Sequence, residues 1–194
     1  MPAVAVPINA IALGPGFLYW APLASAFPAN TVAGGVFTDT WPVAWSLFGA
    51  TDKGSEFNYE LSTDNVEVAE TLDAVAVVPT GRVISMTFDL AQIHATNFKL
   101  AVNGGTITTT GSGATQLNEF APPELGSEVR RMIGWEAQDS TERLVGIQCF
   151  QTGKINISRA KGADKATLPN EWTFEKPADG SLPFKYWTTG AARA

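Results

Sequence analysis

Ser55-Glu56-Phe57-Asn58-Tyr59-Glu60-Leu61 alternates without a break, with Phe57, Tyr59 and Leu61 on one side of an extended chain and Glu56, Asn58 and Glu60 on the other. Successive side chains of a β-strand point to opposite faces, so the stretch predicts a strand with one apolar and one wet face. The polar run Ser62-Thr63-Asp64-Asn65 predicts a turn, and Val66 and Val68 flanking Glu67 predict the returning strand of a hairpin. Residues 74–78 form a further apolar run closed by Pro79-Thr80-Gly81. After it Ile84, Met86 and Phe88 alternate with Ser85 and Thr87, which predicts another strand.

The period changes at Asp89. Leu90, Ile93, His94, Phe98, Ala101 and Val102 lie at steps of 0, 3, 4, 8, 11 and 12, the stripe of one amphipathic helix over about residues 90–102. Asp89 is positioned to cap it and Gln92 to answer from its first turn, while Asn103-Gly104-Gly105 ends it by tolerating positive φ. Downstream, residues 106–110 are rich in β-branched side chains, and Gly111-Ser112-Gly113 reads as a tip. Residues 129–136, 144–151, 154–158, 171–176 and 184–188 read as strands, with Thr152-Gly153 as a short turn between two of them. Many short strands around one helix predict a mainly β fold, a β-sandwich or small barrel with one flanking α-helix.

The chain has 194 residues, of which 45% are apolar and only 16% charged, so its surface is poor in charge and suited to burial against neighbours. Its 18 glycines and 12 prolines are spread throughout and speak for short segments and turns. Before Asp39 there is no charged side chain, and the first basic one is Lys53, so a secretory signal with its positive leading region is not expected. Pro7, Pro15, Gly16, Pro22 and Pro28 cut the same stretch into pieces too short for a membrane span. Residues 1–40 therefore read as an extended apolar arm, either packed on its own domain or laid on a neighbouring subunit, and residues 41–194 as one β-rich domain.

Catalysis is not expected. His94 is the only histidine and lies on the helix's apolar stripe, where a packing role is the ordinary reading, and Cys149 sits as a buried thiol in an alternating strand. One Cys and one His exclude a zinc site of the Cys/His-rich kind, and no other metal or cofactor is indicated. The glycine-rich residues 104–113 lack the Gly-Lys-Ser/Thr ending of a phosphate-binding loop. Trp20, Trp41, Trp45, Trp135, Trp172 and Trp187 leave one rival open, a carbohydrate-binding β-sandwich with an aromatic strip.

The acidic excess is local. Residues 39–100 hold nine acids and three bases, whereas residues 101–194 hold ten of each, which accounts for the net charge of −6. Such a chain lacks the basic footprint that grips phosphates. The acidic stretch reads either as a solvated hairpin face that keeps the protein soluble or as a wall to which a polyanion does not adhere.

Several pieces in consistent order resemble the major tail tube protein of long-tailed bacteriophages, of the type infecting actinobacteria. They are Pro15-Gly16-Phe17-Leu18-Tyr19-Trp20-Ala21-Pro22-Leu23, Trp45-Ser46-Leu47-Phe48-Gly49, Gly54-Ser55-Glu56-Phe57 and Val66-Glu67-Val68-Ala69-Glu70. Asn103-Gly104-Gly105-Thr106 and Met132-Ile133-Gly134-Trp135-Glu136 complete the set, while Ala24 stands where such proteins often carry glycine. The resemblance implies a structural virion protein, made in the bacterial host cytoplasm. It implies rings of copies of itself, hexameric, stacked as a hollow tube that meets tape-measure and terminator proteins and passes double-stranded DNA without specific binding. Glu56, Glu60, Glu67 and Glu70 are the expected lumen-facing acids. Phe17, Tyr19, Trp20, Leu23, Trp41, Trp45, Arg130 and Arg131 are the expected subunit-interface residues.

Overall fold

The computed structural model describes residues 15–66, 73, 75–157, 159 and 165–190. In chain order the strands are β1 (Gly16–Pro22), β2 (Val32–Ala33), β3 (Val36–Phe37), β4 (Ser46–Leu47), β5 (Thr51–Val66) and β6 (Ala76–Leu90). Helix α1 (Ala95–Ala101) follows, then β7 (Thr106–Thr110), β8 (Leu117–Ala121), β9 (Arg131–Ala137), β10 (Glu142–Gln151), β11 (Leu168–Phe174) and β12 (Phe184–Thr188). The main sheet runs in the order β4-β1-β9-β10-β11-β6-β5, with β12 also paired to β10, while β2–β3 and β7–β8 are separate two-stranded pairs.

Strand β10 is the hinge of this sheet. Its first half pairs with β12 and its last three residues pair with β11, while its register to β9 shifts between Gly146 and Cys149. A shift of this kind bends the strand and raises its twist. The two halves therefore face each other across one apolar cluster. Leu18, Ile133 and Leu144 enter it from the β1–β9–β10 side, and Ile84, Met86, Phe88, Leu90, Leu168 and Trp172 enter from the β6–β11 side. Leu100 and Ala101 of α1 close its end. The opposite face of β1–β9–β10 carries a smaller cluster, Ala21, Trp45, Met132 and Val145, flanked by Tyr19, Phe27, Trp41 and Trp187. Gly134 makes room for it, since a Cβ there would stand 2.5 Å from the Trp41 ring and 2.9 Å from Trp45. The result is a mainly β, sandwich-like subunit with one flanking helix, and its sheet does not close into a barrel.

Some local expectations are corrected. Ser62-Thr63-Asp64-Asn65 is no turn: β5 runs straight through it and pairs with β6, Asp64 opposite Val78 and Asn65 opposite Val77. These polar residues keep the period of two on a segment with no core beneath it, so nothing requires them to be apolar. Pro79-Thr80-Gly81 does not end a strand either. A register shift between Ser62 and Thr63 absorbs it, and at Pro79 β6 is hydrogen-bonded on one side only, where a residue without N–H is tolerated.

The helix is shorter than its stripe. Asp89 and Leu90 are held in β6 opposite Pro169 and Leu168, so α1 starts later, with the exposed His94 as N-cap and its Nδ1 accepting from the Asn97 N–H at 3.4 Å. The stop holds, with Asn103 at φ 58° and both following glycines at positive φ. Asn103 is also buried, because its amide grips the Gln151 backbone, donating to the carbonyl at 2.7 Å and accepting from the N–H at 2.9 Å. Residues 154–157 form no strand, and Ser158 lies outside the described residues. Thr152 instead donates from its N–H to the Glu171 carbonyl at 2.8 Å, so β10 is followed in the sheet by β11. Of the arm expected over residues 1–40, the first fourteen lie outside the described residues, and Gly16–Pro22 is a strand of the main sheet between β9 and β4.

Candidate functional site

Strand β6 is flanked by β11 only over Ser85–Leu90, so residues 59–66 and 76–84 leave the body as a two-stranded ribbon. The alternation of the opening stretch now has a geometric meaning. One ribbon face carries Phe57, Tyr59 and Leu61 opposite Met86, Ile84 and Arg82, and further out Thr63 and Asn65 opposite Pro79 and Val77. Met86 and Ile84 belong to the core, so this face is the core surface carried outward. Tyr59 is 51%, Leu61 49% and Val77 61% exposed. At its root the face opens into an apolar furrow of about 440 Å³ lined by Phe57, Met86, Trp135, Leu144, Phe184 and Tyr186, where the sheet fails to close between β5 and β12. The Phe57 and Phe184 rings, 5.3 Å apart, meet there.

The other ribbon face bears acids on β5, with the exposed Val83 and Val78 of β6 opposite Glu60 and Asp64. Glu56, Glu60 and Asp64 follow one another on β5, all exposed, and Glu56 stands in one cross-strand row with Thr87 and Glu171. Glu56, Asp89 and Glu171 share a depression of about 360 Å³ with Lys53 and Lys154. Of the four expected lumen-facing acids, Glu56 and Glu60 therefore share one wet face, and Glu67 and Glu70 lie outside the described residues.

The expected interface residues fall into three settings. Phe17 and Leu23 are 48% and 43% exposed at the two ends of β1. Tyr19, Trp41 and Trp45 pack on their own subunit, with Tyr19 stacked on Trp41 at 4.3 Å and Trp41 edge-on to Trp45 at 4.7 Å. Trp45 is buried and its indole N–H donates to the Ala26 carbonyl at 2.8 Å. The half-buried Arg131 lies over the Trp20 ring at 5.3 Å. Arg130 is engaged by Glu175 at 2.7 Å, and this hydrogen bond with its charge holds the Glu175 carboxyl below its usual range. Of the six tryptophans, Trp45 and Trp172 are buried and Trp20, Trp41, Trp135 and Trp187 half-buried.

One cluster escaped the sequence reading. Arg143, 1% exposed, donates to Asp39 Oδ2 at 2.9 Å, to the Asp39 carbonyl at 2.7 Å, to Glu136 Oε1 at 3.1 Å and to Asn30 Oδ1 at 3.2 Å. Its guanidinium also lies over the Phe37 ring at 4.6 Å, and Glu136 Oε2 accepts from the Trp41 indole. Burial pushes the Asp39 carboxyl up, but the hydrogen bond and charge of Arg143, with backbone donors, outweigh it and hold Asp39 below its usual value. The signal was present in part: Glu136 shares the parity of Met132 and Gly134 on β9, an inward charge that needed a partner, and Arg143 is its cross-strand neighbour. This cluster pins residues 30–41 to the sheet. It is a structural cross-link, with every carboxylate oxygen already accepting a hydrogen bond.

Among the described residues, no group of three or more His, Cys, Asp or Glu side chains is placed to hold a metal ion, and no helix is long and apolar enough to cross a membrane. Burial pushes the Cys149 thiol well above its usual range, which keeps it protonated.

No curated protein sequence matches the chain at a significant level. A family model described as phage tail tube protein matches residues 8–179, a span that includes the β1 strand, the ribbon, α1 and the sheet through β11. The chain belongs to the phage tail tube protein family and is a structural component of the virion tail.

Proposed function

We propose that this protein assembles with copies of itself into hexameric rings that stack as the hollow tube of a phage tail, through which double-stranded DNA passes. The observation that carries the reading is the β5–β6 ribbon, a projecting element with exposed apolar side chains, Tyr59, Leu61 and Val77, on one face and the acids Glu56, Glu60 and Asp64 on the other. An apolar face so exposed is stable in water only at a cost, and the surface of a neighbouring copy removes it. A head-to-tail contact between two different patches closes into a ring when the rotation allows. The outer edge of β5 extends the sheet to a neighbour by the same backbone hydrogen bonds that join strands within the subunit. Phe17 and Leu23 add to these contacts, and tape-measure and terminator proteins meet the ends of the polymer.

The acidic face suits the bore. Duplex DNA carries about one negative charge per 1.7 Å of axis, so a lysine-rich wall releases counterions and holds it, whereas Glu56 and Glu60, with Glu67 and Glu70, repel it. Screening limits that repulsion to about 8 Å at physiological salt, so it acts on a duplex that nearly fills the channel. Negative-stain microscopy of the purified full chain over a concentration series tests the assembly. Rings or tubes are expected, and a monomer at every concentration, alone and with the other tail proteins, contradicts it.

A further inference from the structure

Three polar atoms at the root of the ribbon are fully buried and have no hydrogen-bond partner in the protein: Trp172 Nε1, Gln151 Nε2 and Asn170 Oδ1. Leaving such a group unpaired forfeits its hydration without return, so three together demand an explanation. Their placement supplies one. Gln151 and Trp172 are direct cross-strand partners on β10 and β11, so their side chains leave the same face of the sheet. Asn170 precedes Trp172 by two residues on β11, and Leu168, Asn170, Trp172 and Phe174 form the buried row of that strand. The orientation of the Asn170 amide is set, since its Nδ2 donates to the Leu168 carbonyl at 2.9 Å, leaving Oδ1 as an acceptor. The Gln151 main chain is held at both ends by Asn103, so its side chain starts from a rigid point.

The set is therefore two donors and one acceptor on one buried face of the β10–β11 pair. That is the complement of a single water molecule, which accepts twice and donates once here, and buried waters make about three hydrogen bonds. We propose that a structural water binds at this point, accepting from Trp172 Nε1–H and Gln151 Nε2–H and donating to Asn170 Oδ1. Its position gives it a role. Trp172 pairs with Met86 and Asn170 with Phe88, so the water ties β10 to the strand that holds the ribbon's root. The site is a rigid mortar joint between the body and the projecting element, and it does not depend on the tube assembly proposed above.

The test is water-edited NMR on the ¹⁵N-labelled full chain, with the Trp172 indole resonance assigned by its disappearance in Trp172→Phe. The expected result is a direct magnetisation-transfer peak between the Trp172 indole proton and a long-lived water, with indole exchange far slower than that of an exposed tryptophan. Asn170→Leu, which removes the acceptor, should abolish or strongly weaken that peak while the other indole signals stay in place. A wild-type spectrum without the peak overturns the proposal. So does a high-resolution map in which the Gln151 amide bonds directly to Asn170 Oδ1 with no solvent between them.

Discussion

Replacing Leu61 and Val77 together by serine removes two side chains from the apolar face of the ribbon without touching the core. Both are about half exposed or more in the isolated subunit, at 49% and 61%, so the folded monomer loses little. Full burial of such a side chain is worth about 2 kcal/mol. Roughly half of that remains to be gained on contact with a neighbour, which is about 1 kcal/mol each and about 2 kcal/mol for the pair. At 1.4 kcal/mol per tenfold, the association constant at each ribbon contact falls about 30-fold. The assay is pelleting of assembled protein over a concentration series, with the melting temperature of the unassembled chain as control. The account expects the critical concentration for assembly to rise by that factor while the melting temperature stays within about a degree or two. Unchanged assembly by a correctly folded double variant would refute the claim that this face is buried between copies.

Arg143→Met leaves Glu136 and Asp39 without their shared cation, and breaking a buried pair in this way costs about 3–5 kcal/mol. At about 2–4 °C per kcal/mol for a chain of this size, calorimetry should show a fall in melting temperature of about 6–20 °C. Asp39 is held below its usual value of 3.8, so its contribution is complete above that value and is lost as pH falls through the lowered folded value. Acid titration should therefore narrow the stability gap between wild type and Asp39→Asn below about pH 4, and a constant gap would contradict the pairing. Ala24 sits at φ 62° in a turn closed by the Ser25 N–H on the Pro22 carbonyl, a position that favours glycine. Ala24→Gly should raise stability by about 0.5 kcal/mol in denaturant melts, the relief of left-handed strain less the added chain entropy. Glu56→Lys with Glu60→Lys, and the same reversal at Glu67 and Glu70, should leave the subunit folded but slow genome delivery, read as a fall in infectivity of phage that carry normal-looking tails.

Where the signal is local, the sequence and the structure agree residue by residue. β7 and β12 start and stop where their β-branched and aromatic runs do, and Asn103-Gly104-Gly105 ends α1 by positive φ as its residue types require. The apolar and polar sides of β5 were legible from the alternation of residues 55–61 alone, though not that the apolar side is left exposed on the subunit. Disagreements arise where pairing partners decide. Ser62-Thr63-Asp64-Asn65 has turn composition, yet a ribbon outside the core places no demand on hydropathy, so composition and conformation part company there. Asp89 has the chemistry of a helix cap, but its strand is already committed between β5 and β11, and the cap passes to His94. The Arg143 cluster joins Asp39 to a strand 104 residues away, and nothing in the spacing of residue types announces so distant a contact.

The central claim is that one face of the ribbon meets another copy and the other face lines a passage for DNA. A cryo-EM reconstruction of virion tails containing this chain tests it directly. The account predicts stacked hexamers around a hollow bore, with Tyr59, Leu61 and Val77 buried between subunits and Glu56 and Glu60 on the bore surface. Tails in which the chain occurs only as isolated, unstacked copies would contradict it, as would a tube whose Glu56 and Glu60 point to the outside.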